Sequence, residues 1–95
     1  MKIERIIISD YCNHYKIERT FIDILDEMGI IPFENKNNEK FMDSEKLEDL
    51  DRCRQLYYEL HINPEGIDAI LNLLQKQKKL QQEIQDLKNR LRLHE

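Results

Sequence analysis

Two glycines and two prolines in 95 residues leave little material for tight turns, and two glycines cannot build a loop that cradles phosphate through several close backbone approaches. No serine-centred nucleophile elbow is present, and the three histidines, His14, His61 and His94, are dispersed along the chain. No catalytic constellation forms, so the chain is expected not to be an enzyme and to need no cofactor. The two cysteines, Cys12 and Cys53, do not make a CxxC pair and read as small packed hydrophobes rather than a disulfide. Cys12 and His14 are two residues apart, which on a helix puts them on different faces, so joint metal ligation is awkward and no metal site is expected. No apolar run approaches the ~18 residues that span a bilayer. The N-terminus lacks a basic leader followed by a long apolar segment, so a cytoplasmic protein without membrane attachment is the expectation.

Hydrophobic residues make up 40% and charged residues 36%, which with so few breakers suits a helix-rich domain with one small core. The net charge of −4 is uneven. Residues 1–43 hold six Lys/Arg against nine Asp/Glu, residues 44–74 three against seven, and residues 75–95 six against three. The body is acidic and the tail basic. An acidic body is poorly matched to a phosphate backbone and better matched to a basic protein partner.

Along the chain, the β-branched run Ile6, Ile7 and Ile8 predicts a short strand, and Ser9 a cap for a first helix with Tyr11 or Cys12 and Tyr15 inward. A second helix begins near Glu18, with Phe21, Ile22, Leu25 and Met28 on one face and Gly29 closing it. Two short helices joined by a tight turn outline a helix-turn-helix. In "IIPFENKNNEKFM" two apolar pieces flank a polar loop, Glu34 to Lys40, which reads as a hairpin or wing. Its Asn steps tolerate positive φ, and Pro32 confines its strand to an edge or a strand start. Asp43 is a candidate cap for a third helix, with Met42 and Leu47 as a hydrophobic staple and Leu47, Leu50, Cys53, Leu56 or Tyr57, and Leu60 as its buried stripe. The opposite face carries Glu45, Glu48, Asp49, Arg52 and Glu59, either solvated or a binding surface. Adjacent Tyr57 and Tyr58 should point to different sides, with at most one in the core.

"HINPEG" reads as a corner. Asn63 caps a fourth helix, Pro64 takes its first position, Glu65 favours the helix dipole, and Ile67, Ile70, Leu71 and Leu74 fold back onto the third helix. From there the period changes: Ile70, Leu73, Gln77, Leu80, Ile84, Leu87 and Leu91 are spaced 3, 4, 3, 4, 3 and 4, a heptad seam with one polar member. Such a seam needs a partner helix, so a homodimer is expected. Glu83 and Arg90 at g and Lys88 at e allow favourable flanking pairs in either strand orientation. The expected organisation is a body over residues 1–74 and a coiled-coil dimerisation helix over residues 75–95.

A helix-turn-helix, a wing, two further helices around an Asn-Pro corner and a terminal coiled-coil helix resemble the layout of the MerR superfamily, so the expected fold is mainly α, a winged helix-turn-helix with a small β wing. "LYYELHINPEGIDAILNLLQKQKKLQQEIQDLKNRL" and "ISDYCNHYKIERTFIDILDEMGII" resemble the two halves of the chaperone modulator CbpM family, from about Ile8 to Leu93. That resemblance implies an adaptor that binds the J-domain of a DnaJ-type co-chaperone of the CbpA kind and blocks its action on the Hsp70 DnaK. J-domains carry a basic helix beside their His-Pro-Asp loop, which suits an acidic ligand. The partner-facing candidates are Asp23, Asp26, Glu27, Glu45, Glu48 and Asp49, with Tyr58 as an anchor. The MerR resemblance implies the alternative, a DNA-binding transcriptional regulator. Yet the second helix offers Arg19 against Asp23, Asp26 and Glu27, and the wing Lys36 and Lys40 against Glu34 and Glu39, where phosphate and base contacts would want cations. MerR metal sensors keep cysteines near the far end of the dimerisation helix, and residues 75–95 contain none.

Overall fold

A computed structural model describes residues 4–93, so His94 lies outside it. The order of elements is β1 (Arg5–Ile7), α1 (Ile8–Tyr15), α2 (Arg19–Glu27), β2 (Glu34–Lys36), β3 (Glu39–Asp43), a 3-10 turn (Ser44–Lys46), α3 (Leu47–Tyr58) and α4 (Pro64–Leu93). The fold is mainly helical, a winged helix-turn-helix with one small antiparallel sheet in the order β1-β3-β2.

The strand expected over Ile6 to Ile8 ends one residue early. Ile8 is buried and already helical, and the cap position belongs to Ile7, whose extended backbone carries no side-chain acceptor. Ser9 therefore sits inside the first turn rather than capping it. β1 pairs with β3 with Ile6 opposite Met42, which ties the start of the chain to the wing. Helix α1 ends at Lys16 in the left-handed region (φ 55°), where the Ile17 N–H returns to the Cys12 carbonyl at 3.1 Å. Helix α2 ends in a Schellman arrangement: the Gly29 N–H bonds the Asp26 carbonyl, the Ile30 N–H bonds the Leu25 carbonyl, and Gly29 holds φ 69°. Ile31, just beyond that turn, is buried. Met28, expected on the inner face, is exposed, because the closing turn carries the chain outward at its position.

The segment Glu34 to Lys40, expected as a loop, is mostly paired strand. Only Asn37 and Asn38 form the turn, both with positive φ (53° and 66°), the two-residue hairpin that such pairs favour. β2 is an edge strand and starts after Pro32, as a residue lacking an N–H requires. Asp43 does not cap α3. It ends β3 opposite Arg5, and a 3-10 turn follows in which the Ser44 N–H bonds the Glu4 carbonyl at 2.7 Å, so α3 begins only at Leu47 with no side-chain cap.

Leu50 and Cys53 of α3 are fully buried, with Leu47, Leu56 and Tyr57 packed at the margin. Leu60, expected in the stripe, is exposed because the helix ends at Tyr58. His61 then takes φ 56° and the Ile62 N–H returns to the Leu56 carbonyl at 3.0 Å. Asn63 caps α4 as read from the sequence, its side-chain oxygen accepting from the Gly66 N–H at 2.8 Å, with Pro64 at the first helical position. A Cβ on Gly66 would stand 2.7 Å from Ile62 Cγ2 and 3.0 Å from the Asn63 side-chain oxygen, so the corner admits only glycine without a shift.

Ile67 and Leu71 of α4 join the core with Ile8, Tyr11, Cys12, Phe21, Ile22 and Leu25. Ile70 and Leu74 are half-buried, and every described residue from Gln75 onward is exposed. The helix runs unbroken through this point, so the body and the arm share one rod, which stretches the molecule to 56 Å along its longest axis.

Replacing Asn63 with Ala should lower unfolding free energy by about 1 kcal/mol in urea, the typical worth of an N-cap, while Asn63→Ser should change it little. Equal loss in both variants would show that the cap bond is not what holds the corner.

Candidate functional site

The acids proposed from sequence do not form one cluster. On β3 the alternation that turns Met42 inward turns Lys40 to the same face. There the Lys40 ammonium donates to Asp23 at 2.6 Å and contacts Asp26 at 3.0 Å. Its side chain is only 13% exposed, so the stem packs while the head is held by two carboxylates. Burial alone would push this amine's pKa down, but the two carboxylates outweigh it and hold it above the ordinary lysine value. Asp23 and Asp26 are thus half-buried structural partners of the wing as well as surface acids. Glu27, at the end of α2, is exposed.

Glu45 is exposed on the 3-10 turn, and Glu48 is exposed with Arg52 one turn on at 3.7 Å. Asp49 is half-buried and lines a small crevice with Arg52, Leu71 and Lys78, facing α4 rather than the wing. Asp23 and Asp26 therefore look toward the hairpin and Asp49 toward the base of the arm. Among the described residues no group of three or more His, Cys, Asp or Glu is placed to hold a metal ion, and Cys12 and Cys53 are free and buried.

Tyr58 is 39% exposed, yet its hydroxyl oxygen accepts from the Glu18 N–H at 3.2 Å, tying the end of α3 to the residue before α2. Tyr57 packs against the core while Tyr58 is exposed, as the helical geometry predicts, yet their rings stay in contact. Their rings lie 5.0 Å apart at 70°, and both pack on Phe21, at 4.6 Å for Tyr57 and 5.4 Å for Tyr58. Phe21 of α2 completes a three-ring cluster in which Tyr58 stands edge-on to both of the other rings. Beside this cluster a cavity of about 520 Å³ opens to solvent, lined by Glu18, Tyr57, Tyr58, His61, Ile62 and Pro64 among others. Sequence reasoning missed it: the aromatic pair and the corner were both legible, but not that the turn before α2 meets them.

A second polar tie joins α1 to α3. The Tyr11 hydroxyl donates to Asp51 at 2.6 Å and accepts from the Arg54 Nε–H at 3.0 Å. The Arg54 guanidinium lies 3.9 Å from the Tyr15 ring centroid. Tyr15, expected inward, is instead the outer plate of this stack. Burial first, then the hydrogen bond to Asp51, raises the Tyr11 phenol well above its ordinary value.

The terminal seam is bare. Leu73, Leu80, Ile84, Leu87 and Leu91 are all exposed, Gln77 with them, and Ile70 is half-buried at the base. A row of apolar side chains at heptad spacing on a projecting helix is the feature a coiled coil covers.

The family model described as MerR HTH family regulatory protein matches residues 6–89. The chain belongs to that family. No curated protein and no solved structure matches it. No helix among the described residues is long and apolar enough to cross a membrane.

Burial also raises the thiols of Cys12 and Cys53, the latter to about 12. Tyr11 and Lys40 are raised as well, so the folded state binds more protons than the unfolded one in alkali. Their contribution is intact below the thiol value of 9.0 and declines as pH rises toward 12. Urea midpoints should therefore fall steadily above that point, and Tyr11→Phe should flatten the part of the fall that begins near 10.0. A flat alkaline profile would contradict the assignment.

Proposed function

We propose that this MerR-family chain is a protein-binding modulator that engages the J-domain of a DnaJ-type co-chaperone of the CbpA kind and blocks its action on the Hsp70 DnaK. The likeness of "INPEGIDAILNLL" and its flanks to the CbpM family supplies the particular partner. The observation that carries the class of partner is the state of Lys40: the inward wing cation is engaged by Asp23 and Asp26. What α2 leaves at the surface is then Arg19 and Thr20 beside Asp23 and Glu27. A phosphate backbone would meet net negative charge there, whereas a basic polypeptide surface would be attracted. The modulator acts by occupancy, covering the J-domain surface that the Hsp70 must reach. No bond is made or broken.

The terminal arm makes the modulator a homodimer in this reading, with Leu73, Gln77, Leu80, Ile84, Leu87 and Leu91 as the seam and Ile70 at its base. A second reading, sequence-specific DNA binding, is favoured by the description of the family model itself.

A purified J-domain should bind the chain by calorimetry, and raising salt from ~0.05 M to ~0.5 M should weaken binding about tenfold, since the attraction is between exposed charges. The paired reversal Glu45→Lys with Glu48→Lys should slow association by a similar factor of about ten. Absence of J-domain binding together with a specific shift of duplex DNA at physiological salt would replace this reading with the second one.

The wild-type chain should sediment at twice its own mass and Ile84→Asp with Leu87→Asp at its own mass, with the far-ultraviolet signature of the body retained. A wild-type chain that sediments as a single copy at ~100 µM would remove the dimer, because sustained heptad seams associate well below that level.

A further inference from the structure

The cavity beside Tyr57 and Tyr58 has a composition that suits one kind of visitor. Tyr57, Tyr58, Ile62 and Pro64 line it, and Glu18 is the one acidic residue in its lining. One Glu18 carboxylate oxygen, Oε2, accepts from the Thr20 hydroxyl at 3.2 Å, and Oε1 has no hydrogen-bond partner among the described residues. The site is also tied at several points. The Tyr58 hydroxyl is held by the Glu18 N–H, Phe21 backs both tyrosines, and the Asn63 cap fixes the corner. Around it Glu59 and Glu65 are exposed. Ring faces with a carboxylate at the edge form a receptor for a planar cation.

The same chain already uses this chemistry internally. Arg54 lies over the Tyr15 ring at 3.9 Å with Asp51 at 3.5 Å from its guanidinium. At the corner a tyrosine ring and a carboxylate are present, and among the described residues no guanidinium lies over the ring.

We propose that the corner cavity receives an arginine side chain presented by a partner polypeptide, its guanidinium lying on the face of one of the two tyrosine rings, with the other ring nearly perpendicular beside it, and donating to the Glu18 carboxylate. This rests on the protein-binding reading above and adds a specific anchor point to it. Arginine fits better than lysine because a planar, weakly hydrated fork can stack and donate at once. A polypeptide fits better than a free small cation because the cavity opens to solvent and offers a single counter-charge. A side chain delivered by a docked surface loses less freedom on entering than a free molecule does.

The test titrates isotope-labelled full-length chain with the blocked tripeptide acetyl-Gly-Arg-Gly-amide and follows backbone amides by nuclear magnetic resonance. Saturable shifts are expected at Glu18, Tyr57, Tyr58, His61 and Ile62, in the millimolar range. The isosteric citrulline tripeptide should bind about tenfold more weakly, as should the arginine tripeptide to E18Q, which keeps the Glu18 N–H and the reach to Thr20 while removing the charge. Citrulline binding as well as arginine, shifts that survive E18Q unchanged, or shifts confined to other residues would each overturn the proposal. Choline binding more tightly than the tripeptide would overturn it in favour of a small-cation site. In parallel, E18Q should weaken binding of a purified J-domain about tenfold. Equal J-domain affinity for wild type and E18Q would overturn the anchor. A wild-type chain that ignores the J-domain yet binds the arginine tripeptide supports the cavity assignment and removes only the co-chaperone.

Discussion

The close approach at Gly66 is the constraint on which the rest of this molecule depends. With 2.7 Å between Ile62 Cγ2 and the place a Cβ would occupy, the chain can reverse at Asn63 and Pro64 tightly enough to lay Ile67 and Leu71 back on α3. Were the corner wider, those two residues would leave the core, and a body this small has few others to spare. The same corner sets the direction in which the remaining helix projects. It also brings Pro64 and Ile62 to the edge of the tyrosine cluster, so the cavity exists because the turn is tight.

Charge is used inside the fold as well as on it. Lys40 fastens the wing to α2 through two aspartates, and Tyr11, Asp51 and Arg54 fasten α1 to α3. No buried side-chain polar atom among the described residues lacks a hydrogen-bond partner. These ties occupy cations that a helix-turn-helix devoted to phosphate would keep at its surface. The core beneath these ties, with Phe21, Ile22, Leu25 and Met42, is uncharged, so it places no demand on the sign of the charge a winged scaffold carries outward.

Much of this is legible in the sequence. Gly29 and the Asn63-Pro64 pair are local signals whose physics does not depend on distant residues, and both acted as read. The helical faces centred on Ile22 and Leu50 were likewise periodic enough to be recognised. What escaped was set by contacts between distant segments. Asp43 looked like a cap in isolation, but pairing of β3 with β1 held it in strand and passed the turn to Ser44. The polar stretch Glu34 to Lys40 looked like loop because its strand is an edge whose residues carry few apolar side chains to bury. Helical geometry separates Tyr57 at the core from exposed Tyr58, but it does not tell that Phe21 of α2 packs on both rings. For the same reason Asp23 and Asp26 were legible as acids but not as the seat of Lys40.

The arm turns a single corner into a question of valency. In the proposed dimer each chain contributes one corner cavity near the base of its own arm, six residues before the seam begins at Ile70. A parallel pair of arms would keep the two bodies at the same end, where two arginines of one partner, or two copies of a partner, could be engaged together. An antiparallel pair would separate the bodies by about 28 Å, the length of the 19-residue arm beyond Leu74 at 1.5 Å per residue. Linked sites gain affinity only when the geometry lets both be filled at once. In the proposed dimer the orientation of the two arms, which the flanking charges do not choose, would therefore govern how strongly the paired corner cavities hold a common target.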